Sequence, residues 1–334
     1  MYFGLSEDQV FFQDNVKKFL EDQLTLDTVK KITEGEDDLA KEELHKGLIN
    51  LGINNILIPE EYGGLGLDLL FATAVSQSLG EGVATLPFLG PYIVAPTAIK
   101  YGASDNQKEK LFADMSQNLI NFGIGFSEYF GSRDSSGLNI SDNKVTGKTL
   151  FVLDADFASH VMIADNKGQI GVVSLDSNGI EMIDLTTVDK TRTYKEMHFS
   201  DTPIEILDKT KSSSFAVEMA LDAGRIIAAA DSLGASQAML NKAVEYSKER
   251  KQFNRVIGSF QAVKHMCAEM AAELEPCYSL VWHAAHCFDD SSEDARLMAC
   301  LAKSHISEVS KMVSKKATEV HGGMGFADLL GLHF

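Results

Sequence analysis

The chain is poor in three features that mark particular classes of protein. Its 334 residues include four cysteines and no Cys-x-x-C pair, which favours reduced, intracellular thiols over a disulfide framework. Only 30 basic residues stand against 48 acidic ones, so the formal net charge is −18. This deficit argues against nucleic-acid binding, because phosphate contacts need a local excess of Lys and Arg.

Long apolar runs are also missing. No segment approaches the roughly 20 apolar residues that a membrane-spanning helix needs. The first residues carry Glu7, Asp8 and Asp14, whereas a signal peptide begins with basic residues. We therefore expect a cytoplasmic protein with no membrane span.

The hydrophobic periodicity changes twice along the chain. Residues 1–120 have the spacing of helices, beginning at Ser6 with Gln9 as its capping-box partner. Residues 121–210 contain short β-prone runs separated by polar turns, which predict an antiparallel sheet or barrel. Helical spacing returns in residues 211–334. The prediction is an α+β fold of three domains with these boundaries, linked before the last domain by the polar segment 208–214.

The predicted elements can be stated individually. Helices are expected at Glu42–Leu51, Leu69–Leu79, Ile93–Tyr101 and Phe215–Glu249, and strands at Lys144–Leu153, His160–Ala164, Gln169–Leu175 and Glu196–Phe199.

The segment Lys248–His265 combines side chains suited to a bound anionic cofactor. Arg250 offers a rigid set of donors that matches phosphate oxygens, Phe253 a flat face, and Gln261 both a donor and an acceptor. Ordinary packing at a helix end, with Arg250 at a helix C-terminus, explains such a cluster equally well. A second element, HGGMGF at residues 321–326, allows backbone amides to approach a ligand closely.

Three motifs in this chain resemble those of the acyl-CoA dehydrogenases. The family's R-x-x-F-G-x-x-I-x-x-x-Q run corresponds to Arg250, Phe253, Asn254, Ile257 and Gln261, with Asn254 in place of the glycine. The H-G-G-x-G turn matches His321, Gly322, Gly323 and Gly325, and the V-P-E-E-x-G-G-x-G turn resembles Ile58–Leu67. The resemblance extends over nearly the whole chain.

The resemblance implies a flavin enzyme that desaturates acyl-CoA thioesters between the α and β carbons. Arg250, Phe253 and Gln261 would lie against the FAD of a neighbouring subunit, and Gly322 and Gly323 beside its adenosine end. The implied fold has an N-terminal helical domain, a middle β domain and a C-terminal four-helix bundle that packs into a tetramer. Electrons would pass to an electron-transferring flavoprotein.

The expected flavin-ring neighbours depart from the family pattern. The run Phe126-Ser127-Glu128, followed by Gly131-Ser132, resembles the T-E-x-x-x-G-S-D element, whose hydroxyl and backbone hold the flavin ring and whose second serine contacts the CoA end of the thioester. The run is one residue shorter here, and Arg133 replaces the final acid. Simple loop hydroxyls are the alternative for both serines. Phe151 replaces the tryptophan of the W-I-T/S triplet, and Leu153 replaces its hydroxyl residue, so Leu153 cannot donate a hydrogen bond to the flavin.

The catalytic base is missing from both positions that the family uses. Desaturation needs a carboxylate to take the α-proton. One family position precedes an arginine in the first C-terminal helix, where this chain has Gly224 before Arg225. The other lies some two dozen residues after the HGG turn, whereas this sequence stops at Phe334. Four acids lie near these positions, and we expect them to be solvated rather than catalytic: Glu218, Asp222, Asp231 and Asp328. Arg225 could bind substrate or pair with Glu218 or Asp222.

Two explanations for the missing base stay open. The favoured one is a heteromer, because some bacterial acyl-CoA dehydrogenases combine a short subunit that lacks the base with a partner that supplies it. The other is an active homo-oligomer with a truncated C-terminus. An acyl-CoA oxidase is a further possibility, although such chains are usually far longer. A flavin-free scaffold subunit would be an interaction protein instead of an enzyme.

Other clusters have simpler explanations. His283, His286 and Cys287 have the spacing of metal ligands, but one helix carries all three and no second cluster accompanies them, so we expect packing and no metal. Trp282 is expected to pack in the helical bundle.

Overall fold

The computed structural model describes residues 4–334, apart from the side chain of Asp328. Nine α-helices occur in this part of the chain: α1 (Glu7–Gln23), α2 (Leu26–Glu34), α3 (Asp38–Asn50), α4 (Leu69–Glu81), α5 (Ala95–Gly102), α6 (Asp105–Ser116), α7 (Phe215–Glu249), α8 (Gln261–Asp289) and α9 (Ala295–His321). A π-helix, Leu89–Val94, directly precedes α5. None of the described helices is long and apolar enough to cross a membrane.

Ten strands alternate with turns in the middle of the described chain and in one late hairpin. They are β1 (Phe122–Gly125), β2 (Gly137–Ser141), β3 (Lys144–Leu153), β4 (His160–Ala164), β5 (Ile170–Ser174), β6 (Ile180–Asp184), β7 (Tyr194–Pro203), β8 (Glu205–Ile206), β9 (Lys251–Gln252) and β10 (Arg255–Val256).

The first eight strands form one mixed sheet. Its order is β6-β7-β3-β1-β4-β5-β8, and β2 pairs with β3 away from this path. The expected antiparallel pairing is found between the other neighbouring strands of this sheet, whereas β1 pairs in parallel with β4, with Phe122 opposite His160. The chain leaves β1, forms the β2–β3 hairpin and returns to β1 from its other side, so β4 runs in the same direction as β1.

The described chain divides into two compact units. One comprises Met1–Leu48, Leu69–Ala84 and Arg225–Phe334, and the other Ile49–Asp68 and Thr85–Gly224. We call them the helical unit and the sheet unit. The three predicted domains follow the changes of secondary structure instead, and their boundaries stay a prediction.

Glycines bring two helices of the helical unit into backbone contact. A Cβ atom at Gly80 of α4 would overlap the carbonyl oxygen of Asp231 in α7, and one at Gly234 would overlap that of Gln77. Asp289 at the end of α8 accepts hydrogen bonds from the Leu69 and Leu70 amides at 2.9 and 3.0 Å, which caps α4.

After residue 214, three long helices are described instead of the four expected, and α4 packs with α8 and α1 in the same unit.

The sheet unit is buried on both faces of its central strands. Along β4, Val161 and Ile163 join one apolar cluster with Val145 and Met197, whereas Met162 joins another that includes residues of α5, α6 and α7. A strand covered on both sides is apolar along its buried length, in agreement with the apolar run 161–164 of β4.

Candidate functional site

The predicted site residues fall into two groups, one in each unit. The sheet unit holds Phe126, Ser127, Ser132, Phe151 and Leu153. The helical unit holds Arg225, Arg250, Phe253, Gln261, Gly322 and Gly323.

The Ser127 hydroxyl follows β1 and is engaged within the chain. It lies 2.5 Å from the Leu150 carbonyl oxygen and 2.8 Å from Glu128 Oε2, both of which are acceptors. A hydroxyl has one proton to donate, so Ser127 can meet a further ligand through its oxygen lone pairs or its backbone. The preceding Phe126 is buried in the core. Contact of Ser127 with a flavin stays a prediction.

Glu128 belongs to the motif that follows β1, but the sequence analysis gave it no role of its own. Its side chain is 2% exposed, and its carboxylate accepts hydrogen bonds from the Thr149 hydroxyl, from the Leu150 amide at 2.9 Å and from Ser127. These bonds tie the loop after β1 to the middle of β3. The sequence signal for this residue is the acid of the T-E-x-x-x-G-S-D element, to which Glu128 corresponds.

A polar cavity of about 650 Å³ opens beside this loop. Ser132 is exposed and lies in its wall, and Glu128 forms another part of the wall. Contact of Ser132 with a substrate stays a prediction. The other lining residues are mostly small or hydrogen-bonding: Gly131, Ser136, Gly137, Leu138, Asn139, Thr146, Gly147 and Asn166. Such a wall suits a polar ligand, and the predicted role of Ser132 is compatible with it.

Phe151 is held outward by a bulge in β3. The pairing with β7 shifts between Thr149 and Val152, and Phe151 has φ +55° and is 46% exposed. A bulge re-aims a side chain, and a positive φ is unfavourable for a bulky residue. Leu153, half-buried, pairs with Ile124 of β1. The structure thus presents an aromatic face at the position of the family's tryptophan.

The β9–β10 hairpin exposes Phe253 at its tip. Phe253 and Asn254 have φ +52° and +62°, the pattern of a type I′ turn, and Asn is among the residues that best tolerate it. The replacement of the family's glycine by Asn254 is therefore conservative. Phe253 is 87% exposed and packs edge-on against Phe260, with ring centroids 6.2 Å apart, while Arg255 lies 3.9 Å above the Phe260 ring.

Both predicted polar partners of the hairpin are exposed. Arg250 lies between the end of α7 and the start of β9, and Gln261 is the first residue of α8. Phe260 precedes α8 without capping it through its side chain. The hairpin and the start of α8 thus present a cation, an amide and an aromatic face to solvent in the described chain.

The HGG turn leaves its backbone open. His321 is buried, donates from Nδ1 to the Ala317 carbonyl oxygen at 2.7 Å and packs against Tyr246 with ring centroids 4.5 Å apart. Gly322 has φ +59°, and a Cβ atom at Gly322 or Gly323 would meet nothing within 4 Å. A groove of about 690 Å³ runs past His321 and Tyr246. A ligand can therefore approach this backbone closely.

A side chain at the position before Arg225 would press against Val94. A Cβ atom at Gly224 would lie 3.3 Å from Val94 Cγ2, tighter than ordinary contact. Glu218 accepts hydrogen bonds from the Tyr129 hydroxyl at 2.8 Å and from Ser214 at 3.0 Å. Asp222 is buried, contrary to our expectation of a solvated acid, because its face of α7 turns into the protein.

The remaining candidate residues lie on α7, on α8 and in the segment after α9. Arg225 and Asp231 are half-buried, and the Asp328 side chain is outside the described part. Cys287 Sγ lies 3.5 Å from His283 Nε2 within α8, and no group of three or more His, Cys, Asp or Glu residues that could hold a metal occurs in residues 4–334 with Asp328 set aside. Trp282 packs edge-on against Tyr278, with centroids 5.6 Å apart.

Two family models match the chain over most of its length. The acyl-CoA dehydrogenase N-terminal domain matches residues 6–118, and the acyl-CoA dehydrogenase C-terminal domain matches residues 215–333. The chain belongs to the acyl-CoA dehydrogenase family, whose members are flavoprotein oxidoreductases that bind FAD. The predicted family, fold class and enzyme class are confirmed.

Several relatives resemble the whole chain. It is 27% identical to the caffeyl-CoA reductase-Etf complex subunit CarC of Acetobacterium woodii, over 98% of this chain and 90% of the relative. It is 28% identical to the short-chain specific acyl-CoA dehydrogenase of Megasphaera elsdenii, over 98% and 91%. A glutaryl-coenzyme A dehydrogenase solved with glutaryl-CoA has a TM-score of 0.89 at 24% identity, over 100% of this chain and 90% of that one, and shares the fold.

Proposed function

We propose that this chain is a subunit of an FAD-dependent acyl-CoA dehydrogenase whose partner subunit supplies the catalytic carboxylate. The observation that carries the proposal is the packing at Gly224. The family position beside the arginine holds a glycine, which has no carboxylate, and a Cβ atom there would lie 3.3 Å from Val94 Cγ2, so Val94 would have to shift to admit a side chain.

The residues of each unit suit a bound flavin dinucleotide. Phe151 and Phe253 are large aromatic side chains held exposed at positive φ. Such backbone strain costs free energy and occurs often at functional sites, and each exposed ring offers a flat apolar face to a ligand. Gly322 and Gly323 offer an open backbone to a diphosphate or adenosine group. Phe126, Ser127, Phe151 and Leu153 would face the flavin ring, whereas Arg250, Phe253, Gln261, Gly322 and Gly323 would contact a dinucleotide. When bound, the flavin accepts a hydride from the β carbon.

Substrate and electron partners complete the proposal. Ser132, in the wall of the polar cavity, would contact the CoA end of an acyl thioester, and Arg225 would bind the substrate or pair with an acid. An electron-transferring flavoprotein would accept the electrons; in support, the relative CarC is named as a subunit of a complex with Etf. The assembly would be a heterotetramer in the cytoplasm, built with another acyl-CoA dehydrogenase subunit.

A flavin-free scaffold is the second candidate, favoured by two observations. The Ser127 hydroxyl is engaged internally, and Leu153 has no hydrogen-bond donor in its side chain. A scaffold would contact its partner through the same hairpin but would bind no flavin.

The deciding experiment compares this chain expressed alone and together with a candidate dehydrogenase partner. Flavin per chain is read from visible absorbance, and acceptor reduction is followed with a panel of acyl-CoA thioesters. We expect flavin and activity in the complex and little activity from the chain alone. A complex whose flavin content equals that of the partner alone would support the scaffold, and full activity from the isolated chain would support the homo-oligomer.

A matched pair of variants tests the role of the hairpin. Phe253→Ala should lower the flavin content of the complex severalfold, because it removes an exposed ring from the turn. Phe11→Ala removes an exposed phenylalanine, 69% exposed, from α1 and should leave the flavin content unchanged. Equal flavin loss in both variants, or in neither, would contradict the assignment of Phe253.

A further inference from the structure

Three lysines that belong to neither group of predicted site residues lie together in the sheet unit. Lys100 is in the last turn of α5, Lys108 is near the start of α6, and Lys209 is in the short helix Asp208–Lys211 that precedes α7. Lys100 and Lys209 are exposed, and Lys108 is half-buried. We call these three residues the lysine cluster. A local group of cations contrasts with the net charge of −18 on the whole chain.

Packing and hydrogen bonds hold the three elements of the lysine cluster together. The Gln107 side chain of α6 donates to the Ile206 carbonyl oxygen at 2.9 Å and accepts from the Asp208 amide at 3.0 Å. Gly102, the last residue of α5, is packed so closely that a Cβ atom there would lie 2.9 Å from Thr210 Cγ2. The end of α5 and the start of α6 are therefore both fastened to the short helix before α7.

The charges of the lysine cluster oppose one another. Burial, and then the charge of Lys209 and a hydrogen bond that its ammonium donates, lower the pKa of Lys108. Asp105, one turn earlier in α6, raises this pKa, whereas Lys100 lowers it further. The half-buried ammonium of Lys108 is thus held close to two other cations, an arrangement that like-charge repulsion makes unfavourable.

Neighbouring lysines are paired with acids, whereas the lysine cluster is not. Lys110 lies 3.3 Å from Glu205, and Lys211 lies 2.7 Å from Asp208. In the part of the chain that the structure describes, no carboxylate forms an ion pair with the lysine cluster. A bound anion would relieve the repulsion. A phosphate group suits this position, because it carries up to two negative charges and three strong acceptor oxygens on one atom.

An exposed aromatic ring stands beside the lysine cluster. The Lys100 ammonium lies 5.4 Å from the centre of the Tyr101 ring. Tyr101 packs edge-on against Phe215, the first residue of α7, with ring centroids 5.5 Å apart. Phe215 is 52% exposed, so a flat group can stack on it. Aromatic rings next to cations are the combination that binds a nucleotide base together with its phosphates.

We propose that the lysine cluster and Phe215 form a nucleotide-binding site. Lys108 and Lys209 hold the phosphates, Lys100 adds a third positive charge, and Phe215 stacks on the base. Closely spaced ammonium groups suit a small ligand with concentrated charge better than the dispersed acids of a protein surface. The ligand is a free nucleotide or the nucleotide end of CoA, which share a base and phosphates. Binding at this site requires neither flavin nor a partner subunit, so the inference is independent of the proposed function.

The test is calorimetric titration of the chain with ADP, pyrophosphate and adenosine, without flavin or divalent metal. ADP should bind most tightly, because it alone offers both a base and phosphates. A variant with Lys108→Gln and Lys209→Gln should bind ADP and pyrophosphate at least about tenfold more weakly, since charge-assisted hydrogen bonds are lost. The matched control, Lys144→Gln with Lys190→Gln, removes two exposed lysines from other parts of the sheet unit and has the same net charge. It should bind both ligands as the wild type does.

Two further measurements separate direct contact from a structural role. Lys108→Arg keeps the charge and should retain pyrophosphate binding. At alkaline pH, binding to the wild type should take up protons, because an anion favours the charged form of Lys108, and this uptake should be absent in Lys108→Gln. Proton uptake is measured by titration in buffers of different ionisation enthalpy.

Phe215 is tested by the difference between ADP and pyrophosphate. Phe215→Leu should weaken ADP binding about fivefold or more, because stacking on the base is lost, and leave pyrophosphate binding unchanged. Phe11→Leu changes another exposed phenylalanine, in α1, and should affect neither ligand.

Titration with CoA identifies the source of the nucleotide. If CoA binds more tightly than ADP, and the double glutamine variant of the lysine cluster weakens both, the nucleotide end of CoA occupies the site. If ADP binds as tightly as CoA, the ligand is a free nucleotide. The proposal is overturned if the wild type binds neither ADP nor pyrophosphate at millimolar concentration, or if the two double variants weaken binding equally. Absence of flavin or of acyl-CoA turnover in the complex bears on the proposed function alone.

Discussion

The buried carboxylate of Glu128 gives the sharpest test of how the sheet unit holds its site loop. Replacing it by alanine removes the acceptor of the Leu150 amide and of the Thr149 hydroxyl, whose residues are 5% and 0% exposed. An unsatisfied buried donor costs about 1–3 kcal/mol, so two of them destabilise the fold by roughly 2–6 kcal/mol. Loss of the contact with Ser127 adds little to this destabilisation, because the Ser127 hydroxyl can still donate to the Leu150 carbonyl oxygen.

Glu128→Gln provides the graded comparison. The amide has the same shape and keeps one oxygen acceptor, and the facing hydroxyls can rotate to accept from its nitrogen. We expect a loss of about 1–2 kcal/mol, smaller than that of Glu128→Ala. The matched control is Glu181→Ala, an acid of β6 whose side chain is 71% exposed, which should cost less than about 1 kcal/mol.

Urea unfolding followed by circular dichroism measures all three variants at constant pH. The order of midpoints should be Glu181→Ala, Glu128→Gln and Glu128→Ala, from highest to lowest. A Glu128→Ala chain within 1 kcal/mol of the wild type would refute the reasoning, because it would show that β3 and the loop find other partners at no cost.

Three further predictions concern other parts of the molecule. Gly80→Ala should destabilise the helical unit by roughly 2–3 kcal/mol in urea unfolding, because the added methyl overlaps the Asp231 carbonyl oxygen, and an unchanged midpoint would contradict the backbone contact. Asn254→Ala should lose about 1 kcal/mol at φ +62°, whereas Asn254→Gly should match the wild type; equal stability of the two would argue against the type I′ turn. Burial raises the pKa of the Cys277 thiol from 9.0 to about 11. The folded state therefore favours the protonated thiol, so the contribution of this thiol to the free energy of unfolding is complete below pH 9 and is lost as the pH rises through about 11. In thiol labelling at neutral pH the exposed Cys300 should react while Cys277 stays protected, and early labelling of Cys277 would contradict its burial.

Local pattern determined much of the fold before any tertiary contact was known. The predicted helix Phe215–Glu249 and strand His160–Ala164 coincide with α7 and β4, and Ser6 and Gln9 form the predicted capping box. Helix periodicity, caps and strand length are set by neighbours within a few residues, so the sequence displays them directly. The predicted helix Ile93–Tyr101 was right in type, but its first two residues, Ile93 and Val94, belong to the π-helix, which periodicity alone does not reveal.

The family motifs determined which residues to examine, and their arrangement required the structure. Sequence spacing placed Phe253 and Asn254 in a turn, and the structure supplied the positive φ that explains why asparagine is tolerated there. Sequence spacing did not show whether the Ser127 hydroxyl contacts a ligand or donates a hydrogen bond within the chain. The answer depends on the Leu150 carbonyl oxygen, which is 23 residues away in sequence.

Long-range contacts decided the rest. The parallel pairing of β1 with β4, the burial of Glu128 and Asp222 and the approach of Gly90 to Asp154 all join segments that are distant in sequence. Such contacts depend on which surfaces meet once the chain is compact, and local propensity does not specify partners at that separation. Sequence by itself therefore determined the elements and the family of this protein. Tertiary packing alone placed Val94 beside Gly224, because that contact exists only when the π-helix and α7 are brought together.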